Sequence, residues 1–298
     1  MKHRSRPRAY QRLTKGAGAV ALGTALCATG LTPAFAADAA AEPEFPRGPA
    51  PTVEALRQQD GPFEIATATV PDQPTFDGGT LYYPTDDSEG TFGAIAISPG
   101  YTGRQDSISW YGRTLASHGF VVFTIDTESV YDQPDSRGEQ LLDALDHITE
   151  RSAVKDRVDP DRLAVAGHSM GGGGALRASY LRPTLRASLP ITPYHRWKRW
   201  SNTTVPTMIF GGENDGVTPV GQHAEPFYES HGSRDKAYLE LNDGTHLTPT
   251  GFDGTLAQYT VSWLKLQVDN DSRYERFLCP PPQADNDTIE EYRSTHCT

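Results

Sequence analysis

The chain has 298 residues, 37% of them hydrophobic, with 38 acidic against 27 basic side chains and a formal net charge of −11 at pH 7. That length buries a substantial core in one large domain or two small ones, and that composition belongs to a globular protein. An acidic surface repels nucleic acid and anionic lipid, which excludes the classes that bind through a basic face.

The first 36 residues stand apart. Basic side chains from Lys2 to Lys15 precede an Ala- and Gly-rich apolar run from Gly16 to Leu31, and Ala34-Phe35-Ala36 follows. A basic start, a short apolar stretch and a small-x-small site make the pattern of a secretory signal peptide. The apolar run is too short for a comfortable membrane span, and the residues around Cys27 do not form a lipidation site. Residues 1–36 are therefore expected to be a signal peptide and the protein to be secreted. The remainder would carry 21 basic and 38 acidic residues, a formal net charge of −17. It retains two cysteines, Cys279 and Cys297. An even count in an exported chain points to a disulfide, here closing the loop 279–297. No cysteine pair has zinc-ligand spacing.

Residues 37–60, rich in Ala, Pro and Glu, read as a loose lead-in, and a single domain is expected over 61–298. Residues 63–83, with "EIATATV" and "GGTLYYP", suggest antiparallel strands at one edge of a sheet. "FGAIAIS" (92–98) is a short apolar run closed by Pro99-Gly100, hence a buried strand. Helical spacing follows over 107–118, and "FVVFTID" (120–126) is a second buried strand. "SRGEQLLDALDHITE" (136–150) reads as a helix capped by Ser136. "RLAVAG" (162–167), "RASLPIT" (186–192), "TMIFGG" (207–212) and "AYLELN" (237–242) supply four more strands. Helices are expected over 170–181, 225–230 and 254–268, and the tail "PPPQADNDT" reads as a loop. Alternating strands and helices predict an α/β protein with a mostly parallel sheet covered on both faces.

Gly167-His168-Ser169-Met170-Gly171 fits G-x-S-x-G, directly after a buried strand and at the opening of a helix. That context is a nucleophile elbow, where flanking glycines let a strained serine sit on a tight turn. A phosphate loop would need Lys-Ser/Thr after its last glycine, and Ala175-Leu176 stands there instead. A serine needs a base, and in this chain order the acid and then the histidine come later. His246 lies in the loop after the last expected strand, whereas its rival His195 lies too early. "IFGGENDGVTP" offers Glu213 and Asp215, and Asp215, the shorter and deeper of the two, is expected to orient His246. Asp243, near His246 in sequence, reads as a turn residue. The oxyanion needs two N–H donors. They are expected from Met170, after the nucleophile, and Tyr101, in "PGYTG" after the first buried strand.

These residues together resemble the bacterial cutinase-type polyester hydrolases, a family that includes enzymes acting on poly(ethylene terephthalate). The resemblance rests on "SPGYTG", "RLAVAGHSMGGGGALR", "PITPYH", "HAEPFY", "KAYLELNDGTH" and "WLKLQVDNDSRYERFLCP", and it spans nearly the whole chain after residue 36. It implies an α/β-hydrolase fold and secreted cleavage of cutin-like and synthetic polyesters through an acyl-enzyme. It carries the triad onto Ser169, Asp215 and His246, the oxyanion hole onto Tyr101 and Met170, and the disulfide onto Cys279 and Cys297. Tyr101, Met170, Tyr194, Val217, His223 and Phe227 are expected along the substrate cleft. Tyr194 departs from the family, which commonly has Trp there, and so changes the clamp on an aromatic unit. Some members bind Ca²⁺ through three carboxylates; those positions are Glu213, Asn242 and Glu290 here, and the lost charge weakens such a site.

Only about fifteen residues, among them Trp197 and Trp200, separate the strands ending near Thr192 and starting near Thr207. That leaves no room for a lid domain. No cofactor, membrane anchor or protein partner is implied. The expected function is ester hydrolysis of the cutinase type. A triacylglycerol lipase on the same triad, and more remotely a non-catalytic binding protein on this fold, are the alternatives.

Overall fold

Every residue of the strand Phe92–Ser98 is buried, and its neighbours in sequence face opposite cores. Ile95 and Ile97 pack into one apolar cluster and Ala94 and Ala96 into another. A strand covered on both faces needs no polar alternation, and the continuous apolar run follows from that burial. The adjacent strand Phe120–Ile125 repeats the pattern, with Val122 on one side and Val121 and Phe123 on the other.

The computed structural model describes residues 44–280 and 287–297; the expected signal peptide lies outside the described residues. Its strands are β1 (Ile65–Val70), β2 (Gly79–Pro84), β3 (Phe92–Ser98), β4 (Phe120–Ile125), β5 (Val158–His168), β6 (Ala187–Ile191), β7 (Thr207–Gly212), β8 (Lys236–Leu241) and β9 (Ile289–Ser294). They form one sheet in the order β1-β2-β4-β3-β5-β6-β7-β8-β9. The pairs from β4 through β8 are parallel, and β1, β2 and β9 run antiparallel at the two edges. The helices are α1 (Val53–Leu56), α2 (Ser109–Ser117), α3 (Pro134–Glu150), α4 (Met170–Leu181), α5 (Ala224–Ser230) and α6 (Gly254–Gln267). Helices α2 and α6 cover one face of the sheet, and α3 and α4 cover the other. Residues 192–206 form no helix or strand, so nothing resembling a lid is inserted between β6 and β7.

Two expectations change. The stretch 44–60 is not loose: Leu56 is buried in the main core, and the Phe45 amide donates to Asp269 O at 3.1 Å. Arg47, also buried, donates to the carbonyls of Glu89 and Thr91. Helix α3 starts at Pro134, a residue suited to the first helical position, so Ser136 lies inside the first turn and accepts from Gln140 Nε2. Of the expected loop 280–288, residues 281–286 lie outside the described residues; β9 follows it and extends the sheet beyond β8. The disulfide Cys279–Cys297 brackets it, with Cα atoms 5.3 Å apart.

Candidate active site

Four loops at the carboxyl ends of β3, β5, β7 and β8 converge, the place where open parallel sheets bind ligands. Ser169 sits between β5 and α4 with φ 56° and ψ −117°, outside the regions that side-chain-bearing residues ordinarily adopt. The turn over-determines this strain. The Ser169 amide donates to Ile191 O at 2.9 Å, and its carbonyl accepts from Gly173 and Tyr194 amides at 3.0 and 2.9 Å. A Cβ on Gly171 would lie 2.1 Å from Ser98 O, and one on Gly167 2.3 Å from the Gly171 carbonyl. The expected sequence motif thus has a steric cause on both sides of the serine.

The loop after β8 brings His246 Nε2 to 2.9 Å from Ser169 Oγ. The other ring nitrogen, Nδ1, donates to Asp215 Oδ2 at 2.8 Å. With its proton on Nδ1, bonded to the carboxylate, the neutral ring leaves Nε2 free to accept from the serine hydroxyl. Asp215 Oδ1 accepts from the amides of Val217 and Thr218 at 2.8 and 2.7 Å, and Oδ2 also accepts from Thr218 Oγ1 at 2.7 Å. Burial pushes the Asp215 carboxyl up. The hydrogen bonds from His246 and Thr218 outweigh burial and hold it at about 2. The group beside the imidazole is therefore an anion at neutral pH, able to stabilise an imidazolium.

A cleft of about 320 Å³ opens over these atoms, lined among others by Tyr101, Ser169, Val217, His246 and Leu247. The side chains of Val217 and Leu247 are largely exposed, and the Tyr101 ring leans on Tyr131 at 5.6 Å. Among the described residues, no acceptor is bonded to the amides of Tyr101 or Met170. Both are available to an oxyanion, Met170 at the start of α4. Tyr194 and His223 line a neighbouring cavity of about 320 Å³, their rings 5.2 Å apart. Phe227, expected along the cleft, is completely buried under Trp200 and His223 and cannot touch a substrate. Of the two tryptophans nearby, Trp200 is buried and Trp197 is exposed.

Two contributors lie outside the residues expected from the sequence. His168 precedes the nucleophile in the elbow. Its ring lines the cleft, and Nε2 donates to the His246 carbonyl at 2.8 Å. Burial keeps its pKa down at about 4, so the ring is neutral and anchors the His246 loop without adding charge. Thr218 donates to Asp215 and lies 3.2 Å from His246 Nδ1. The Asp-x-x-Thr spacing, which lets a carboxylate cap the turn after it, is the signal that could have found it. The rivals fall elsewhere. His195 Nδ1 accepts from the Trp197 amide, and Asp243 adopts φ 53° in its turn.

Of the positions that the resemblance gives for a calcium site, Glu213 directly follows β7, Asn242 directly follows β8, and Glu290 is exposed on β9. Glu213 accepts from the Asp243 amide, and Asn242 donates its side-chain amide to Asp287 O. Among the described residues no group of three or more His, Cys, Asp or Glu is placed to hold a metal.

The topology and the converging loops define an α/β-hydrolase. The PET hydrolase-like family matches residues 39–298, and the chain belongs to it. It is 52% identical over 257 residues to the bis(hydroxyethyl) terephthalate hydrolase of Streptomyces coelicolor, covering 85% of this chain and 83% of that protein. It is 51% identical over 280 residues to a cutinase of Thermobifida fusca, covering 91% and 92%. Cutinase 1 of Thermobifida cellulosilytica is 51% identical over 257 residues, covering 84% and 97%. The chain is accordingly a carboxylic-ester hydrolase of the cutinase type, which sets aside the non-catalytic alternative.

Proposed function

We propose that this is a secreted serine hydrolase of polyesters, cleaving cutin-like chains, terephthalate polyesters and short-chain esters. Ser169 Oγ attacks the ester carbonyl carbon while His246 Nε2 takes its proton. Asp215 holds the imidazole and stabilises its charge. The Tyr101 and Met170 amides receive the developing oxyanion. His246 then gives the proton to the departing alkoxide, and the alcohol leaves an acyl-Ser169. Water attacks that acyl group by the same route, its proton passing through His246 to Ser169 Oγ, and the acid is released. No step calls for a metal.

The observation that carries this reading is the continuous relay from Ser169 Oγ to His246 Nε2 at 2.9 Å and from His246 Nδ1 to Asp215 at 2.8 Å. The relatives named as cutinases and as a terephthalate ester hydrolase support the substrate class. An exposed cleft with no inserted lid suits a polymer chain. Among the described residues no helix is long and apolar enough to cross a membrane.

The test is product analysis after incubation with cutin, with a terephthalate polyester film and with long-chain triglyceride. Release of hydroxy fatty acids and terephthalate esters at rates above triglyceride turnover is expected. Preferential cleavage of the triglyceride would make the enzyme a lipase on the same triad.

A further inference from the structure

The cavity beside the catalytic centre carries an uncompensated positive charge. Arg196 and Lys198 line it together with Tyr194 and His223. In a chain with 38 acidic and 27 basic residues, cations usually find carboxylates. Here neither Arg196 nor Lys198 makes an ion pair among the described residues. The Lys198 ammonium lies over the Phe227 ring at 4.9 Å and donates to His223 Nδ1 at 2.9 Å. That bond fixes the tautomer: with Nδ1 accepting, the neutral His223 ring carries its proton on Nε2, a second donor. Burial, with the Lys198 charge second, holds this imidazole down at about 4, so it stays neutral in the working range.

The cavity adjoins the reacting atoms. Its first residue, Tyr194, donates its amide to the Ser169 carbonyl at 2.9 Å, and its ring tilts against His223. An acyl group held on Ser169 and lying along Tyr194 would direct its far end toward Lys198. If the substrate is a terephthalate diester, as proposed above, cleavage of one ester leaves a half-ester whose far end is a carboxylate.

We propose that Lys198, Arg196 and the Nε2–H of His223 form a carboxylate-binding subsite that takes the free acid end of an aromatic half-ester. An ammonium and a guanidinium supply charge-assisted donors to such a group, which a neutral hydroxyalkyl end cannot exploit as well. The subsite would extend the enzyme's range from internal ester bonds to the last ester of a fragment.

The experiment compares mono(2-hydroxyethyl) terephthalate with bis(2-hydroxyethyl) terephthalate on wild type, Lys198→Met, Lys198→Arg and Arg196→Gln. The ratio of KM for the anionic half-ester to KM for the neutral diester should rise about tenfold in Lys198→Met. Lys198→Arg should restore most of the preference, and Arg196→Gln should show a smaller rise. Raising salt to about 1 M should weaken the wild-type preference in the same direction. An unchanged ratio in Lys198→Met, or equal loss on both substrates with no rescue by Arg, would overturn the subsite. A second readout does not depend on turnover. Terephthalate titrated into Ser169→Ala should bind about tenfold more weakly when Lys198→Met is added, and equal binding would also overturn it. Failure of the wild type to hydrolyse either ester would instead count against the ester-hydrolase reading, while the titration would still decide the subsite.

Discussion

Thr218 shows how one hydroxyl helps to hold a catalytic group. Its Oγ1 donates to the same Asp215 oxygen that receives His246 Nδ1–H, at 2.7 and 2.8 Å. The carboxylate is almost fully buried, so each donor counts for more than it would in water. Thr218→Val removes one charge-assisted bond, worth roughly 1.5–3 kcal/mol, and leaves the two backbone donors in place. Steady-state kinetics on a soluble p-nitrophenyl ester should show kcat reduced by about tenfold with little change in KM. A wild-type kcat would mean that the hydroxyl does not help to hold Asp215. The Ser169 strand-turn-helix context and the position of His246 after β8 could be read from sequence, because backbone order encodes them. The contact of His168 could not, because it depends on where groups 78 residues apart in the chain meet, whereas that of Thr218, three residues from Asp215, carries a local signal.

At the scale of elements, the run Gly171-Gly172-Gly173-Gly174 gains a physical account. Glycine inside a helix costs about 1 kcal/mol relative to Ala, so propensity argues against the last two. Packing decides otherwise. A Cβ on Gly173 would sit 2.0 Å from Tyr194 O, and one on Gly174 would sit 2.9 Å from Arg137 Cβ in α3. Helix α4 is thus pressed against both α3 and the Tyr194 loop. Gly173→Ala should lose roughly 1–3 kcal/mol to overlap that backbone cannot relieve, despite its better propensity. Thermal unfolding checks this directly: Tm should fall, and an unchanged or higher Tm would show that α4 can move away. Strands β3 to β8 were legible because burial on both faces writes continuous apolar runs. Strand β9 was not, because "IEEYRS" at a sheet edge is mostly polar and shows no clear alternation. The lead-in was misread for a related reason. Its composition is that of a loop, yet it is fixed by a few long-range contacts of Phe45, Arg47 and Leu56 that no local pattern announces.

Across the whole molecule, buried histidines set the response to acid. Burial holds His118 at about 3 and His168 and His231 at about 4, below the ordinary value near 6.5. In the unfolded chain these groups take up protons near pH 6.5, whereas in the fold they do not until pH falls to about 4 or lower. The unfolded state therefore binds more protons in that window, and stability rises with pH through it. Their contribution is complete above about pH 6.5 and is eroded as pH falls toward 4. Asp215 acts lower: held at about 2, it contributes above the ordinary carboxylate value and loses that contribution only as pH falls toward 2. Calorimetry from pH 8 to 4 should show Tm level at first and then falling steadily below about 6.5. A Tm that is flat to pH 4 would contradict the neutral, buried state of these rings.

The central claim is that Ser169 is the nucleophile of an ester hydrolase, strained into place and activated by His246. Active-site labelling with a fluorophosphonate tests it most directly. One equivalent of label should attach to the peptide containing Ser169, in step with complete loss of p-nitrophenyl esterase activity, and Ser169→Ala should neither react nor turn over the ester. Label on another residue, or substantial esterase activity in Ser169→Ala, would contradict the account.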